Sequence, residues 1–326
     1  MHATNQSLPV IDAATLRECV GFVDLIEPVA AAFRDTSAGQ AENGLIILFP
    51  AETRNAGDVY IKAGALRGHR VFVTKVSPWF AKNVAEHRPQ GGFIAVFDSS
   101  TGHTLAILDE QHYLSDIRTA AAGALAARAL CPAGIKTAAV LGSGTQAYWQ
   151  SVALHRERPF TQLTICARDI SKAERLRTRL SPQLPSVQLG VATDLESTVR
   201  QADVVITATL AREPLVRGEW LRAGQHITAV GADDPTKCEL DGATLRRARV
   251  FVDSVSSAEH NGDVRRAIQT DGYSIDLLAG EIGDVLSGRL HGRRSTDDIT
   301  IAKFVGIGAQ DLAAAEVALL RLGILR

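Results

Sequence analysis

The 326-residue chain has almost no net charge, −1 with histidine neutral, and that absence argues against two kinds of partner. A nucleic-acid backbone or an anionic membrane is met by a surplus of Lys and Arg, and there is none. Long hydrophobic runs are missing too. No stretch approaches the ~20 apolar residues that span a bilayer, and the opening MHATNQSLPV is polar, so the expected location is the cytoplasm. Cysteine is scarce: Cys19, Cys131, Cys166 and Cys238 stand far apart with no C-x-x-C. That spacing suggests neither a zinc knuckle nor a disulfide framework, and the simplest expectation is buried thiols and no metal site. Repeats and low-complexity tracts are also absent.

What is present is enough chain for two domains, each with its own core. From Lys136 onward, apolar β-type runs alternate with helical patterns, which marks a parallel sheet covered by helices. Six strands are expected, at TAAVL (137–141), LTICA (163–167), VQLGV (187–191), DVVITA (203–208), HITAVG (226–231) and VFVD (250–253). The earlier part reads differently. DVYIKAG (58–64), RVFVTKVS (70–77) and GGFIAVFDSSTGHTLAILD (91–109) predict strands joined by Gly and Asp-Ser turns, hence a mostly antiparallel layer. SDIRTAAAGALAARAL (115–130) predicts a helix capped by Ser115 that carries the chain into the second domain. AQDLAAAEVALLRLGI (309–324) predicts an amphipathic helix that returns to the first. The expected fold is α/β: a doubly wound parallel sheet over 128–302, plus an α+β domain built from 1–127 and 303–326.

The strand TAAVL runs into G-S-G-T-Q-A and then a helix pattern. This arrangement suits a dinucleotide pyrophosphate: Gly142 allows the tight turn, Gly144 lets the backbone approach phosphate, and Ala147 lets the helix pack near the strand. Helix N–H groups then face the anion, which makes Gly142, Ser143, Gly144, Thr145 and Gln146 the candidate cofactor loop. At the end of the second strand, NAD-selective domains place an acid for the ribose 2′-hydroxyl. Here CARDISKA places Arg168, whose guanidinium suits a 2′-phosphate and favours NADP over NAD, although Asp169 adjoins it. An ordinary solvated arginine is the alternative.

A nicotinamide enzyme needs a substrate anchor and a proton-handling group beside the carbon that exchanges hydride. VGADDPTKCEL (230–240) follows the fifth predicted strand and carries Asp233, Asp234 and Lys237, with Asp233 nearest the strand end. The alternative there is an Asp-Pro turn with solvated charges. In the first domain Lys75, inside VTKVS, and Arg118, ahead of TAAAGALAA, sit in apolar patterns. Buried cations are costly without an anion, and a substrate carboxylate would be one. A structural ion pair or a side chain snorkelling to solvent is the alternative. Lys62 in VYIKAG is a weaker candidate of the same type.

DIRTAAAGALAARAL (116–130), AAVLGSGTQA (138–147), ITATLAREPLV (206–216), VGADDPTKCEL (230–240) and DDITIAKFVGIGAQDLAAA (297–315) together resemble, in the same order, motifs of the ornithine cyclodeaminase/mu-crystallin family. The resemblance extends from about residue 20 to the end. It implies a Rossmann domain and a dimerising substrate domain, hence a homodimer. It also implies that Asp233 is the catalytic aspartate, that Lys75 and Arg118 hold the substrate carboxylate, that Lys237 is the loop lysine, and that Thr207 and Thr209 border the cofactor. The expected activity is NAD(P)H-dependent reduction of an imino acid to an amino acid, or the reverse. The alternatives are an NAD-dependent cyclodeaminase acting on ornithine or a related diamino acid, and a non-catalytic NADP-binding crystallin-like protein.

Two departures from the family pattern weaken an ornithine assignment. Ile46, Ile47 and Leu48 stand where cyclodeaminases have a further arginine, with Arg54 out of place for it, and HRPQGG (87–92) replaces a Leu-Pro-Thr turn. Lys62 ahead of Lys75, in a K-x-G-x-x-x-G pattern that resembles a branch of ectoine-utilisation cyclodeaminase-like proteins, suits a substrate with two carboxylates such as iminosuccinate.

Overall fold

The computed structural model describes residues 7–53, 56–86 and 88–325. The chain divides into two compact units, residues 1–118 with 307–326, and residues 119–306. The chain passes from the first to the second within the helix Tyr113–Leu130.

Unit one holds a six-stranded sheet: β1 (Val10–Asp12), β2 (Ala41–Leu48), β3 (Gly57–Leu66), β4 (Val71–Phe80), β5 (Phe93–Asp98) and β6 (Thr104–Asp109). Their order across the sheet is β1-β6-β5-β4-β3-β2. Neighbours pair antiparallel except β1, which lies parallel to β6. Side chains alternate across a strand, so Tyr60, Lys62, Gly64 and Leu66 of β3 share a buried face with Val71, Val73, Lys75 and Ser77 of β4. The helices Ile26–Ser37 and Gly308–Arg321 pack together, and the second also lies on β3 and β4. Two glycines permit that approach. A Cβ on Gly64 would stand 2.2 Å from the Gly308 carbonyl oxygen, and one on Gly308 would stand 2.0 Å from the Ala63 carbonyl oxygen. The glycine of K-x-G therefore admits the start of the C-terminal helix beside Lys62. Ile46 and Leu48, where the family arginine was sought, lie exposed on the edge strand β2; Arg54, like His87 of the replaced turn, is outside the described residues.

Unit two holds an all-parallel sheet. Its strands are β7 (Thr137–Leu141), β8 (Gln162–Cys166), β9 (Gln188–Ala192), β10 (Val204–Thr207), β11 (His226–Ala229), β12 (Arg249–Val252), β13 (Gly280–Glu281) and β14 (Thr300–Lys303). The order is β13-β12-β14-β11-β10-β7-β8-β9. All six expected strands are there, with ends shifted by a residue or two. The sheet has two further strands, because TIAK (300–303) inserts between β11 and β12 and a two-residue strand adds the far edge. Both faces are covered: Val204 and Ile206 enter one apolar core while Val205 enters the other. The order reverses between β7 and β10, and open α/β sheets bind ligands beyond the carboxyl ends of the strands at such a point.

Helix Tyr113–Leu130 starts two residues ahead of the expected Ser115 cap. Gln111 (φ 47°) and His112 (φ 68°) both take left-handed backbone conformations, and the turn folds Glu110 back over the first helical turn. The Glu110 carboxylate, not a serine cap, accepts from the Ser115 N–H (2.7 Å) and hydroxyl (2.7 Å).

Replacing Gly64 by Ala is expected to cost about 1–3 kcal/mol, because backbone must move to admit the methyl group. Gly190→Ala, where a Cβ meets nothing within 4 Å, is expected to stay within about 0.5 kcal/mol; urea denaturation midpoints of the two variants provide the comparison.

Candidate functional site

In unit one the structure gathers Lys62, Lys75 and Arg118. Lys62 and Lys75 are directly opposite each other in the β3–β4 ladder, and all three cations are buried, at 5%, 2% and 6% exposure. Like charges facing each other across a sheet are unfavourable unless an anion joins them. Asp311 joins them, from the first turn of the C-terminal helix, where a carboxylate also suits the helix dipole. Its Oδ1 accepts from Lys75 Nζ at 2.8 Å and from Arg118 Nε at 3.1 Å. Lys75 also donates to the Ser115 hydroxyl at 2.9 Å, and Arg118 Nη1 donates to Gln310 Oε1 at 3.2 Å. Burial alone would raise the Asp311 carboxyl, but Lys75, Arg118 and Lys62 outweigh it and hold it below its ordinary 3.8. Lys75 and Arg118 thus share one carboxylate oxygen, Oδ1, while Asp311 Oδ2 is buried without a hydrogen-bond partner.

His112 borders this cluster, with Nε2 3.2 Å from Ser77 Oγ and 2.9 Å from the Pro78 carbonyl oxygen. Burial lowers its pKa, with Lys75 and Arg118 adding to the effect against Glu110 and the Pro78 hydrogen bond. Sequence reasoning missed Asp311 and Glu110, and read Ser115 as a helix cap rather than as a partner of Lys75. The signal for Asp311 was an acid in the first turn of a helix whose next residues, LAAA, are all apolar.

In unit two, Gly142 (φ 126°) makes the turn after β7, and a Cβ there would stand 2.4 Å from the Ala208 carbonyl oxygen. Gly144, at the N-cap of helix Thr145–Glu157, has nothing within 4 Å of a Cβ position, and no side chain caps that helix. Ser143, Thr145 and Gln146 complete this loop, and Ala147 is buried beneath it. Arg168 is exposed just past β8. Its neighbour Asp169 is engaged locally: it N-caps helix Ile170–Leu180 through Lys172 N at 3.1 Å.

The loop after β11 brings Asp233, Asp234 and Lys237 together. Lys237 Nζ lies 2.7 Å from Asp233 Oδ1 and 3.2 Å from Asp234 Oδ2. Asp234 is buried and accepts from the N–H groups of Thr236 (2.6 Å) and Lys237 (2.9 Å). Burial would raise its carboxyl, but Lys237 and these hydrogen bonds keep it low. The Asp233 side chain stays 32% exposed and so can be approached. Thr207, the last residue of β10, and Thr209, two residues on, both donate their hydroxyls to the buried Glu239, at 2.8 Å each. Glu239 was also missed; burial and then Asp263 push its carboxyl up, against Lys303 and the threonine hydroxyls. Among the described residues no cluster of His, Cys, Asp and Glu could hold a metal, and no helix is long and apolar enough to cross a membrane.

Removing the charge at position 311 leaves Lys75 and Arg118 buried without their shared anion, so Asp311→Asn is expected to lose about 3–5 kcal/mol in urea titration. Because the folded carboxyl lies below its ordinary value, its contribution is complete above pH ~4 and is lost as the pH falls through the lowered value. The wild-type advantage over Asp311→Asn should therefore shrink below pH ~4.

Residues 10–321 match the model of the Ornithine cyclodeaminase/mu-crystallin family. An uncharacterized cyclodeaminase of Sinorhizobium fredii is 36% identical over 97% of this chain and 96% of its own. An archaeal alanine dehydrogenase dimer with bound NAD superposes with a TM-score of 0.87 at 28% identity, over 96% of this chain and 95% of that one. The iminosuccinate reductase of Paracoccus denitrificans, in complex with NAD⁺, gives a TM-score of 0.86 at 26% identity, over 97% and 96%. With the family matched across nearly its whole length, this chain belongs to the ornithine cyclodeaminase/mu-crystallin family.

Proposed function

We propose that the protein is an NAD(P)H-dependent reductase of an imino acid, working as a homodimer, with unit one anchoring the substrate and unit two binding the nicotinamide cofactor. The observation that carries the reading is the buried set Lys62, Lys75 and Arg118 around Asp311. Cations held this firmly in apolar surroundings suit a carboxylate ligand. The open space at Gly144 and the uncapped helix behind it fit a pyrophosphate, whereas the crowding at Gly142 serves the turn. Two structurally similar enzymes, the alanine dehydrogenase and the iminosuccinate reductase, were each solved with NAD or NAD⁺.

A reduced nicotinamide, when held by the Gly142–Gln146 loop, would supply a hydride for the imine carbon. The chain's own groups do the rest. Lys75 and Arg118 orient the substrate carboxylate, and Asp311 and Gln310 fix the guanidinium plane of Arg118. Asp233 manages the proton at the imine nitrogen, with Lys237 2.7 Å away as its immediate charge partner. Arg168, exposed just past β8, would hold the 2′-phosphate of NADPH, since Asp169 is already engaged by its helix. Lys62, opposite Lys75, takes a second carboxylate, which makes a dicarboxylic imine such as iminosuccinate the preferred substrate class.

A second reading, cyclodeamination, is favoured by the name of the Sinorhizobium relative. Loss of reduced nicotinamide is followed with cyclic ketimines, 2-oxo acids plus ammonia or methylamine, and oxaloacetate plus ammonia. Consumption with one of them supports the reductase. Ammonia release from ornithine with trace NAD, and no net cofactor change, replaces it with the lyase. Asp233→Asn should lower kcat about 10²–10⁴-fold. Lys62→Ala should raise KM for the dicarboxylic imine far more than for a monocarboxylic one, and equal effects would remove the second anchor. Arg168→Ala should cost NADPH about tenfold or more in kcat/KM and leave NADH nearly unchanged.

A further inference from the structure

Unit two contains a buried ionic network for which the proposed chemistry has no direct use. Glu239, Asp263 and Lys303 are all 0% exposed. Glu239 Oε1 accepts from Thr209 N (2.7 Å) and Thr209 Oγ1 (2.8 Å); Oε2 accepts from Thr207 Oγ1 (2.8 Å), Gly231 N (2.9 Å) and Ala232 N (3.2 Å). One carboxylate thus ties together the segments that leave the adjacent strands β10 and β11. Asp263 Oδ1 in turn accepts the N–H of Glu239 (2.6 Å) and of Leu240 (2.9 Å), while its Oδ2 lies 3.1 Å from Lys303 Nζ. Lys303 closes the circuit by donating to the Ala232 carbonyl at 2.6 Å. Ala232 is therefore gripped at its N–H by Glu239 and at its carbonyl by Lys303, and the next residue is Asp233.

Two glycines are shaped to this grip. A Cβ on Gly231 would stand 2.4 Å from Glu239 Oε1 and from Thr209 N, and one on Gly262 (φ +65°) would stand 2.2 Å from the Ala232 carbonyl oxygen. Three buried ionisable groups are a poor route to stability, since well-packed apolar residues do as well or better. A buried polar network holds a geometry closely where its partners are in place, and here every carboxylate oxygen accepts a hydrogen bond except Asp263 Oδ2, whose contact is the ion pair with Lys303.

We infer that Glu239, backed by Asp263 and Lys303, is a positioning residue that sets the Asp233 carboxylate in register with the Thr207–Thr209 segment. The inference rests on the proposed acid–base role of Asp233. It acts through backbone: Glu239 fixes where β10 and β11 release their loops, and so where the carboxylate of one stands relative to the cofactor-facing segment of the other.

The test compares Glu239→Gln, Thr207→Val, Thr207→Ser and Asp233→Asn in the full-length enzyme, using the imine that wild type turns over. Thermal midpoint, imine KM, kcat and the pH profile of kcat/KM are measured. Glu239→Gln should lower kcat tenfold or more, leave imine KM within about threefold, and move the pH profile in the same sense as Asp233→Asn. Thr207→Val, which removes one donor, should lower kcat severalfold, and Thr207→Ser should restore it. A folded Glu239→Gln with a lower midpoint but wild-type kcat and pH profile overturns the inference, leaving the network a purely structural role. If Glu239→Gln does not fold, an unchanged kcat in Thr207→Val overturns it alone. Impairment of Asp233→Asn alone sinks the positioning role and spares the function; an unimpaired Asp233→Asn removes the acid–base reading and the inference with it.

Discussion

An ionised side chain taken out of water must be met by an opposite charge and by hydrogen bonds, and the functional geometry in each unit depends on how that demand is satisfied. In unit one, Lys75 and Arg118 come from a strand and a helix that are distant in sequence, and a third element, the helix Gly308–Arg321, brings the carboxylate of Asp311 that holds both. The helix can approach only because Gly64 and Gly308 lack side chains. Backbone packing and electrostatics are thus parts of one arrangement: a methyl group at residue 64 would displace the helix that carries the counter-ion.

Much of the fold could be read from the sequence, because parallel strands buried on both faces leave continuous apolar runs and the helices between them keep their period. β14 was harder, since TIAK follows a polar stretch and is inserted between strands that are not its neighbours in sequence. The start of helix Tyr113–Leu130 was misplaced for a physical reason. Ser115 has the chemistry of a cap, but the left-handed pair Gln111–His112 returns Glu110 to that position, and nothing local in the sequence announces a left-handed glutamine and histidine.

The candidate cations show where a sequence argument stops. Lys75 in VTKVS and Lys303 in ITIAK carry the same signature, a lysine inside an apolar strand. Both are buried against an aspartate, Asp311 and Asp263. Pattern alone separates neither of them from a structural ion pair. What separates them is company: Lys75 faces a second lysine and shares its carboxylate with an arginine, whereas Lys303 is 3.1 Å from Asp263 and also donates to a main-chain carbonyl. The first arrangement gathers three cations near one carboxylate, and the second ties a single lysine to one aspartate and one peptide carbonyl.

The acids of unit two likewise differ in the partners each one meets. Asp169, Asp234 and Glu239 all follow or border strand ends, where a sequence reader looks for ribose-binding or catalytic carboxylates. Asp169 is occupied by a helix start, Asp234 by its own turn, and Glu239 by five donors from the segments after β10 and β11. Each therefore acts on the backbone. Asp233 differs in keeping a third of its side chain exposed, with Lys237 close by. A carboxylate that is approachable, flanked by a cation and carried on a peptide held at both ends is suited to exchange a proton without moving, and its neighbours account for why it can stay in place.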